Sequence, residues 1–211
     1  DAFEKGKLRL DVLFETIRTG DPDALTLMYG PNLGRPLHLL SDAVRSFIWA
    51  APGHRFINAD YTSIEGVMAA WFAGEEWKLE AFQALNRGEG YGIYELAAAG
   101  IYGIPVEDVT RAHRPTGKVA ELSCQYQTGV GGIRKFARTS KIKLASLYGA
   151  LWEAAAPGDK DKAEERFEDR LKNHDAHAET LGREGWLAAE LIKIGWRNRH
   201  PQIVQAWKDL D

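Results

Sequence analysis

Apolar residues recur at helical spacing through almost the whole of this chain, and glycine and proline cut the pattern into short helices. In residues 8–19 the apolar positions Leu8, Leu10, Val12, Leu13 and Ile17 precede a stop at Gly20-Asp21-Pro22. The same reading predicts helices over about 37–49, 63–72, 75–85 and 91–102. Another runs to about Gln127, where Thr128-Gly129-Val130-Gly131-Gly132 ends it. Five more are expected at about 133–137, 143–156, 160–172, 178–196 and 201–210. The third of these alternates in charge, as a solvated helix with ion pairs at spacing four does. Only Arg55-Phe56-Ile57-Asn58-Ala59-Asp60 alternates like a strand, with Asp60 on the more polar side. The expected class is therefore α+β and predominantly helical, with no internal repeat and no linker that separates independent domains.

At 211 residues, 45% hydrophobic and 27% charged, the chain can bury a sizeable core as a soluble globular protein does. Its first residue is Asp1 rather than methionine, which fits a fragment or a processed product. There is no run of about 18 apolar residues and no signal-peptide pattern, so the expectation is an intracellular protein without a membrane partner. The single cysteine, Cys124, excludes an internal disulfide framework and a thiolate zinc cluster. Net charge is −3, but it is unevenly spread. Between Arg111 and Lys143 there are eight Lys or Arg and one acid, Glu121, a local +7 that leaves −10 for the rest. Such a block suits a phosphate-facing surface, and it equally suits a solvated helix face.

Two groups of residues carry candidate chemistry. Asp60 ends the strand-like run and Glu65 opens the next helical stretch. A carboxylate on a strand end is well placed to hold a hard cation such as magnesium, which keeps several waters and needs only one or two carboxylates. By itself the pair also reads as a strand-end turn residue and a helix N-terminal acid favoured by the dipole. Further on, Arg114, Lys118, Leu122 and Tyr126 fall at steps of four, which puts two cations, an apolar residue and an aromatic one on one helix face. The cations suit the phosphates of a nucleotide, and the apolar end suits a sugar and base. Standing alone, this helix is also an ordinary surface helix with two core anchors.

Taken together, Ala59-Asp60-Tyr61-Thr62-Ser63-Ile64-Glu65-Gly66 and Arg114-Pro115-Thr116-Gly117-Lys118-Val119-Ala120-Glu121-Leu122-Ser123-Cys124-Gln125-Tyr126 resemble motifs A and B of the family A (DNA polymerase I-like) DNA polymerases. The wording around them, Gly-Lys-Val-Ala-Glu-Leu and Gly-Ile-Tyr-Gly-Ile-Pro-Val-Glu-Asp, resembles the bacteriophage branch. The resemblance covers most of the chain and is strongest over 39–136. It implies a partial palm over 1–75, containing the motif A strand, and helical fingers over 76–211. It implies DNA-directed DNA synthesis on primer-template DNA with deoxynucleoside triphosphates and two Mg²⁺ ions in the complete enzyme, in the cytoplasm or nucleoid of a bacterial host. Asp60 would then be the catalytic metal ligand and Glu65 the sugar gate. Arg114 and the catalytic Lys118 would bind triphosphate, and Leu122 and Tyr126 would meet the nascent base pair. Tyr94 stands where many members have a phosphate-binding histidine. Arg45, Arg134, Lys135 and Arg138 are candidates for DNA backbone contact. Within motif B, Pro115 and Gly117 are unusual helix residues, and Arg111 or His113 can share the role of Arg114. Leu122 replaces a common aromatic residue, and Gln127 stands where bacterial enzymes usually have glycine.

The family's second catalytic aspartate lies in a Val-His-Asp-Glu-type motif C. The only His-Asp pair here is His174-Asp175, on a polar run with no strand before it and too close to Lys118, so it is not read as motif C. The resemblance thus places the thumb and any exonuclease before Asp1, and motif C after Asp211 or on a second chain. The piece alone is expected to lack polymerase activity. Two other readings stand beside it: a non-catalytic nucleotide- or nucleic-acid-binding helical module derived from a polymerase, and a metal-dependent hydrolase built on His174, Asp175 and His177.

Overall fold

Proline sets where many of these helices begin. The computed structural model describes residues 10–29, 36–44 and 48–210. In it α2 (Pro22–Tyr29), α3 (Pro36–Ala43), α10 (Pro157–Lys172) and α12 (Pro201–Leu210) each start on a proline, and α7 (Arg114–Cys124) carries one as its second residue. The first N–H groups of a helix have no partner within it, so proline's missing donor costs nothing there. The Gly20-Asp21-Pro22 stop is therefore also a start. The chain leaves α1 (Leu10–Arg18), Asp21 accepts the N–H of Asp23 at 2.8 Å, and α2 follows at once, a helix that periodicity did not predict.

Contacts divide the chain into two compact units, residues 1–60 and 61–211. In the first, Leu13, Leu25 and Ala43 from α1, α2 and α3 bury together, with Ile17 and Tyr29 against them. α3 ends well short of the expected 49, and Arg45 lies outside the described residues. The strand expected at 55–60 is not there: these residues form no strand, and no strand occurs among the described residues. The physical reason is a missing partner. A strand is held by cross-strand hydrogen bonds, and here Phe56 and Ile57, which alternation would send to opposite faces, are 61% and 87% exposed. The α+β expectation is corrected to helical for the described residues.

The second unit is built around α11 (Ala176–Arg199), which breaks at Gly182 (φ 63°, ψ 178°). After the break, Trp186, Leu187, Ala188, Ala189, Leu191 and Ile192 are all buried. Packed on it are α6 (Ile93–Tyr102), α7, α8 (Val130–Thr139), α9 (Tyr148–Ala154) and α10, while α4 (Ile64–Ala73) and α5 (Glu76–Asn86) pair with each other and α4 meets α12. Glycines in left-handed conformation close α4 (Gly74, φ 70°) and α6 (Gly103, φ 62°). Among the described residues no helix is long and apolar enough to cross a membrane.

Candidate functional site

Helix α7 has two opposed faces, and its sequence explains both. Thr116, Gly117, Val119, Ala120, Glu121, Ser123 and Cys124 are buried, while Arg114 and Lys118 are exposed and Leu122 is half-buried. The step-of-four stripe is thus the solvent face, as its cations require. The helix ends at Cys124, so Tyr126 lies in the following turn rather than on the helix, exposed and still beside the stripe.

The two unusual residues of this helix have structural reasons. Pro115 is in the first turn, where it is harmless, and Arg114 is the first helical residue. Gly117 is where α7 meets α6: a Cβ built there would lie 1.9 Å from the Tyr94 carbonyl oxygen and 2.9 Å from the Ala98 nitrogen. This approach brings Tyr94 and Glu95 against Arg114. The Arg114 guanidinium sits 5.1 Å from the Tyr94 ring centroid, and its Nε donates to Glu95 Oε1 at 2.5 Å. Burial, more than the opposing Arg114 charge, raises the Tyr94 phenol above its ordinary pKa.

Beyond Arg114 a cleft of about 540 Å³ opens, lined by Arg111, Arg114, Pro115, Lys118, Ser140 and Ile142. Three of its six lining residues are cations and none is acidic. Ser140 and Ile142 were not legible as site residues, since they reach the cleft only because α8 folds back beside α7.

At the other end of the stripe, Gly66 lets α4 pack close: a Cβ there would meet Phe82 Cζ at 3.3 Å and Gln125 Oε1 at 3.5 Å. Glu65, exposed in the first turn of α4, is thereby set beside Tyr126. The neighbouring Glu65 carboxylate, and after it burial, raises the Tyr126 phenol above its ordinary pKa. The structure therefore joins Glu65 to Tyr126 at one end of the stripe, and Tyr94, Arg114 and Lys118 at the other. Gln127 takes a left-handed conformation (φ 57°), the kind of position that favours glycine.

The buried face of α7 holds a polar cluster that the sequence did not announce. Glu121 accepts from Lys78 Nζ at 2.5 Å and from Trp196 Nε1 at 2.8 Å. Lys78 also reaches His200 Nε2 at 3.3 Å, while His200 Nδ1 donates to the Trp196 carbonyl at 2.7 Å, and the two rings stack at 3.9 Å. Burial first, and then the Lys78 charge, push His200 down to about 3, so it is neutral. Elements far apart in sequence (α5, α7, α11) are locked here on the side away from the cleft.

On α8, Lys135 and Arg138 are exposed, whereas Arg134 is half-buried and meets His177 Nδ1 at 3.2 Å. Asp175 accepts the N–H groups of His177 and Ala178 at 2.8 and 2.9 Å, capping α11, and His174 faces Glu179. The His-Asp pair is accounted for as a helix start. Asp60 is exposed at the end of the first unit and offers one carboxylate. Among the described residues no group of three His, Cys, Asp or Glu side chains converges to hold a metal ion.

No family model matches the chain. It is similar to the DNA polymerase of Bacillus phage SP02, 29% identical over 204 residues, which are 96% of this chain and 24% of that protein. It is also similar to DNA polymerase I of Pseudomonas aeruginosa, 27% identical over 115 residues (54% of this chain, 12% of the relative). DNA polymerase I of Treponema pallidum is 29% identical over 102 residues (48% and 9%). The chain spans about a quarter of the length of the phage relative. The similarity covers nearly the whole chain, as the resemblance read from its motifs implied, and the proteins it reaches are named DNA polymerase and DNA polymerase I.

Proposed function

We propose that the outward face of α7 binds the triphosphate of an incoming deoxynucleotide in template-directed DNA synthesis, within a complete polymerase to which this chain contributes part of the palm (1–75) and the fingers (76–211). The observation that carries this reading is the cleft lined by Arg111, Arg114 and Lys118 with no acid among its lining residues. A triphosphate brings its charge to positions where cations already stand, and guanidinium forks match phosphate oxygens in pairs. Lys118, one helical turn beyond Arg114, supplies a compact charge for the phosphate that leaves. Leu122 and Tyr126 then meet sugar and base, and Glu65 crowds the ribose 2′ position from the far end of the stripe. Exposed Lys135 and Arg138 face the DNA backbone, and Arg134 joins them when His177 releases it. Asp60 would supply one carboxylate to Mg²⁺, the hard cation that neutralises the transferred phosphates; the reading requires a second carboxylate from outside these 211 residues.

Calorimetric titration of this chain with dATP tests the proposal. Lys118→Gln removes a charge-assisted contact worth about 1.5–3 kcal/mol, so affinity should fall about tenfold or more. Undiminished affinity would sink the role of Lys118, and no binding by the parent chain would remove the cleft reading. In a complete polymerase, Asp60→Ala should abolish primer extension. A second reading, a binding module without catalysis, rests on the lone carboxylate of Asp60; it expects dATP binding by the chain and no primer extension for Asp60→Ala to abolish.

A further inference from the structure

We propose that Glu95 is a positioning residue for Arg114, aiming its guanidinium into the cleft; this rests on the cleft being a triphosphate site. Two independent observations carry it. The first is which nitrogen is engaged. Glu95 Oε1 takes the Nε–H of Arg114 at 2.5 Å, and among the described residues the two terminal nitrogens make no hydrogen bond. Those terminal nitrogens form the edge that grips a phosphate through two parallel bonds, so the carboxylate steadies the arginine without occupying its working edge. The Tyr94 ring, 5.1 Å from the guanidinium carbon, limits the remaining rotation. An arginine held in this way has already lost most of the rotamer freedom that binding would otherwise remove.

The second observation is the space made for Glu95. It is the third residue of α6, in the first turn, where the helix dipole favours a carboxylate. Its other oxygen folds back over Gly92, where an added Cβ would stand 2.4 Å from Oε2. Gly92 has φ −66° and ψ 153°, values any residue adopts, so its backbone does not demand glycine. What an added methyl would meet is the carboxylate end of Glu95, a flexible group that would have to shift.

Removing Glu95 has two opposed effects on an anionic ligand: the arginine is loosened, and a negative charge near the phosphates disappears. The pair is half-exposed, with side chains 49% and 27% accessible, so solvent screens the charge effect and the loosening dominates. Calorimetric titration of the chain with tripolyphosphate separates these. Glu95→Ala should weaken binding about fivefold, with the unfolding midpoint checked by circular dichroism. Glu95→Gln, which keeps an acceptor for Nε–H and drops the charge, should recover most of the loss. Gly92→Ala, which touches neither the arginine nor the ligand but crowds Oε2, should weaken binding by less than Glu95→Ala does. In an Arg114→Gln background, Glu95→Ala should cause no further loss of affinity. Equal or tighter binding by Glu95→Ala overturns the proposal, as does an equal loss in both backgrounds. If Lys118→Gln weakens binding while Glu95→Ala does not, only the positioning role falls; if the parent chain binds no tripolyphosphate, the cleft reading falls with it.

Discussion

Lys78→Met tests whether the buried face of α7 is held as described. The lysine is wholly buried, its Nζ is 2.5 Å from Glu121 Oε2 and 3.3 Å from His200 Nε2, and it stands 5.3 Å from the Trp196 ring centroid. Methionine is also long and unbranched and fills much of the same space, so the substitution removes a charge while opening little cavity. Glu121, itself only 4% exposed, is left with the Trp196 N–H as its remaining donor. A buried carboxylate deprived of its cation costs about 3–5 kcal/mol. Lys78→Met combined with Glu121→Gln, which retains an acceptor for Trp196, should recover all but about 1 kcal/mol. Urea unfolding followed by tryptophan fluorescence reads both variants, with an unchanged denaturant slope as the check on two-state behaviour. A single-variant loss below about 1 kcal/mol, or a double variant that loses the sum of two large single effects, would refute the idea of one coupled buried cluster.

His200 gives a pH signature. Its folded pKa of about 3 lies below the ordinary 6.5, so its contribution is complete above pH 6.5 and is lost as pH falls from there toward 3, because the unfolded chain binds the proton first. Unfolding midpoints of His200→Gln should therefore depend less on pH between 6.5 and 4 than those of the parent. Gly117→Val must push α6 from α7, because its Cβ begins 1.9 Å from a backbone oxygen; a stability loss of about 3 kcal/mol and weaker dATP binding should appear together. Gln127→Gly relieves a left-handed residue and should raise stability by up to about 1 kcal/mol, read by thermal unfolding. Cys124, buried and with burial pushing its thiol up to about 12, should resist iodoacetamide in the native chain and react on unfolding, as mass spectrometry would show.

Where the arrangement of the candidate site was legible, it was because the signal was local. Arg114, Lys118 and Leu122 share a face by helix geometry alone, and burial of the opposite face agrees with that pattern. The residues that hold the site in place carry no such mark. Glu95 reads as a first-turn acid, Lys78 as a surface cation on α5, and His200 as a residue before a proline; each acquires meaning from a partner distant along the chain. Gly117 and Pro115 looked like faults in a helix because their reasons, a crossing and a first turn, are properties of the packed helix rather than of its composition. The strand at 55–60 failed for the converse reason. Alternation describes only how side chains would point, and says nothing about whether a neighbour is present to bond the backbone.

Glu75, the residue just before α5, accepts the N–H groups of Gln202 and Ile203 at 3.0 and 3.2 Å, and the Trp77 indole donates to the Arg199 carbonyl at 3.1 Å. These bonds tie the opening of the second unit to the end of α11 and the start of α12, across more than 120 residues of chain. During synthesis, α4 and α5 leave the ribosome long before α12 does, and until then the Glu75 carboxylate lacks the donors that let it be buried. Docking of this corner therefore waits for the end of the chain, and closing so long a loop should slow it relative to the local helix pairs. The α5–α11–α12 corner should be the last part to acquire protection against amide hydrogen exchange.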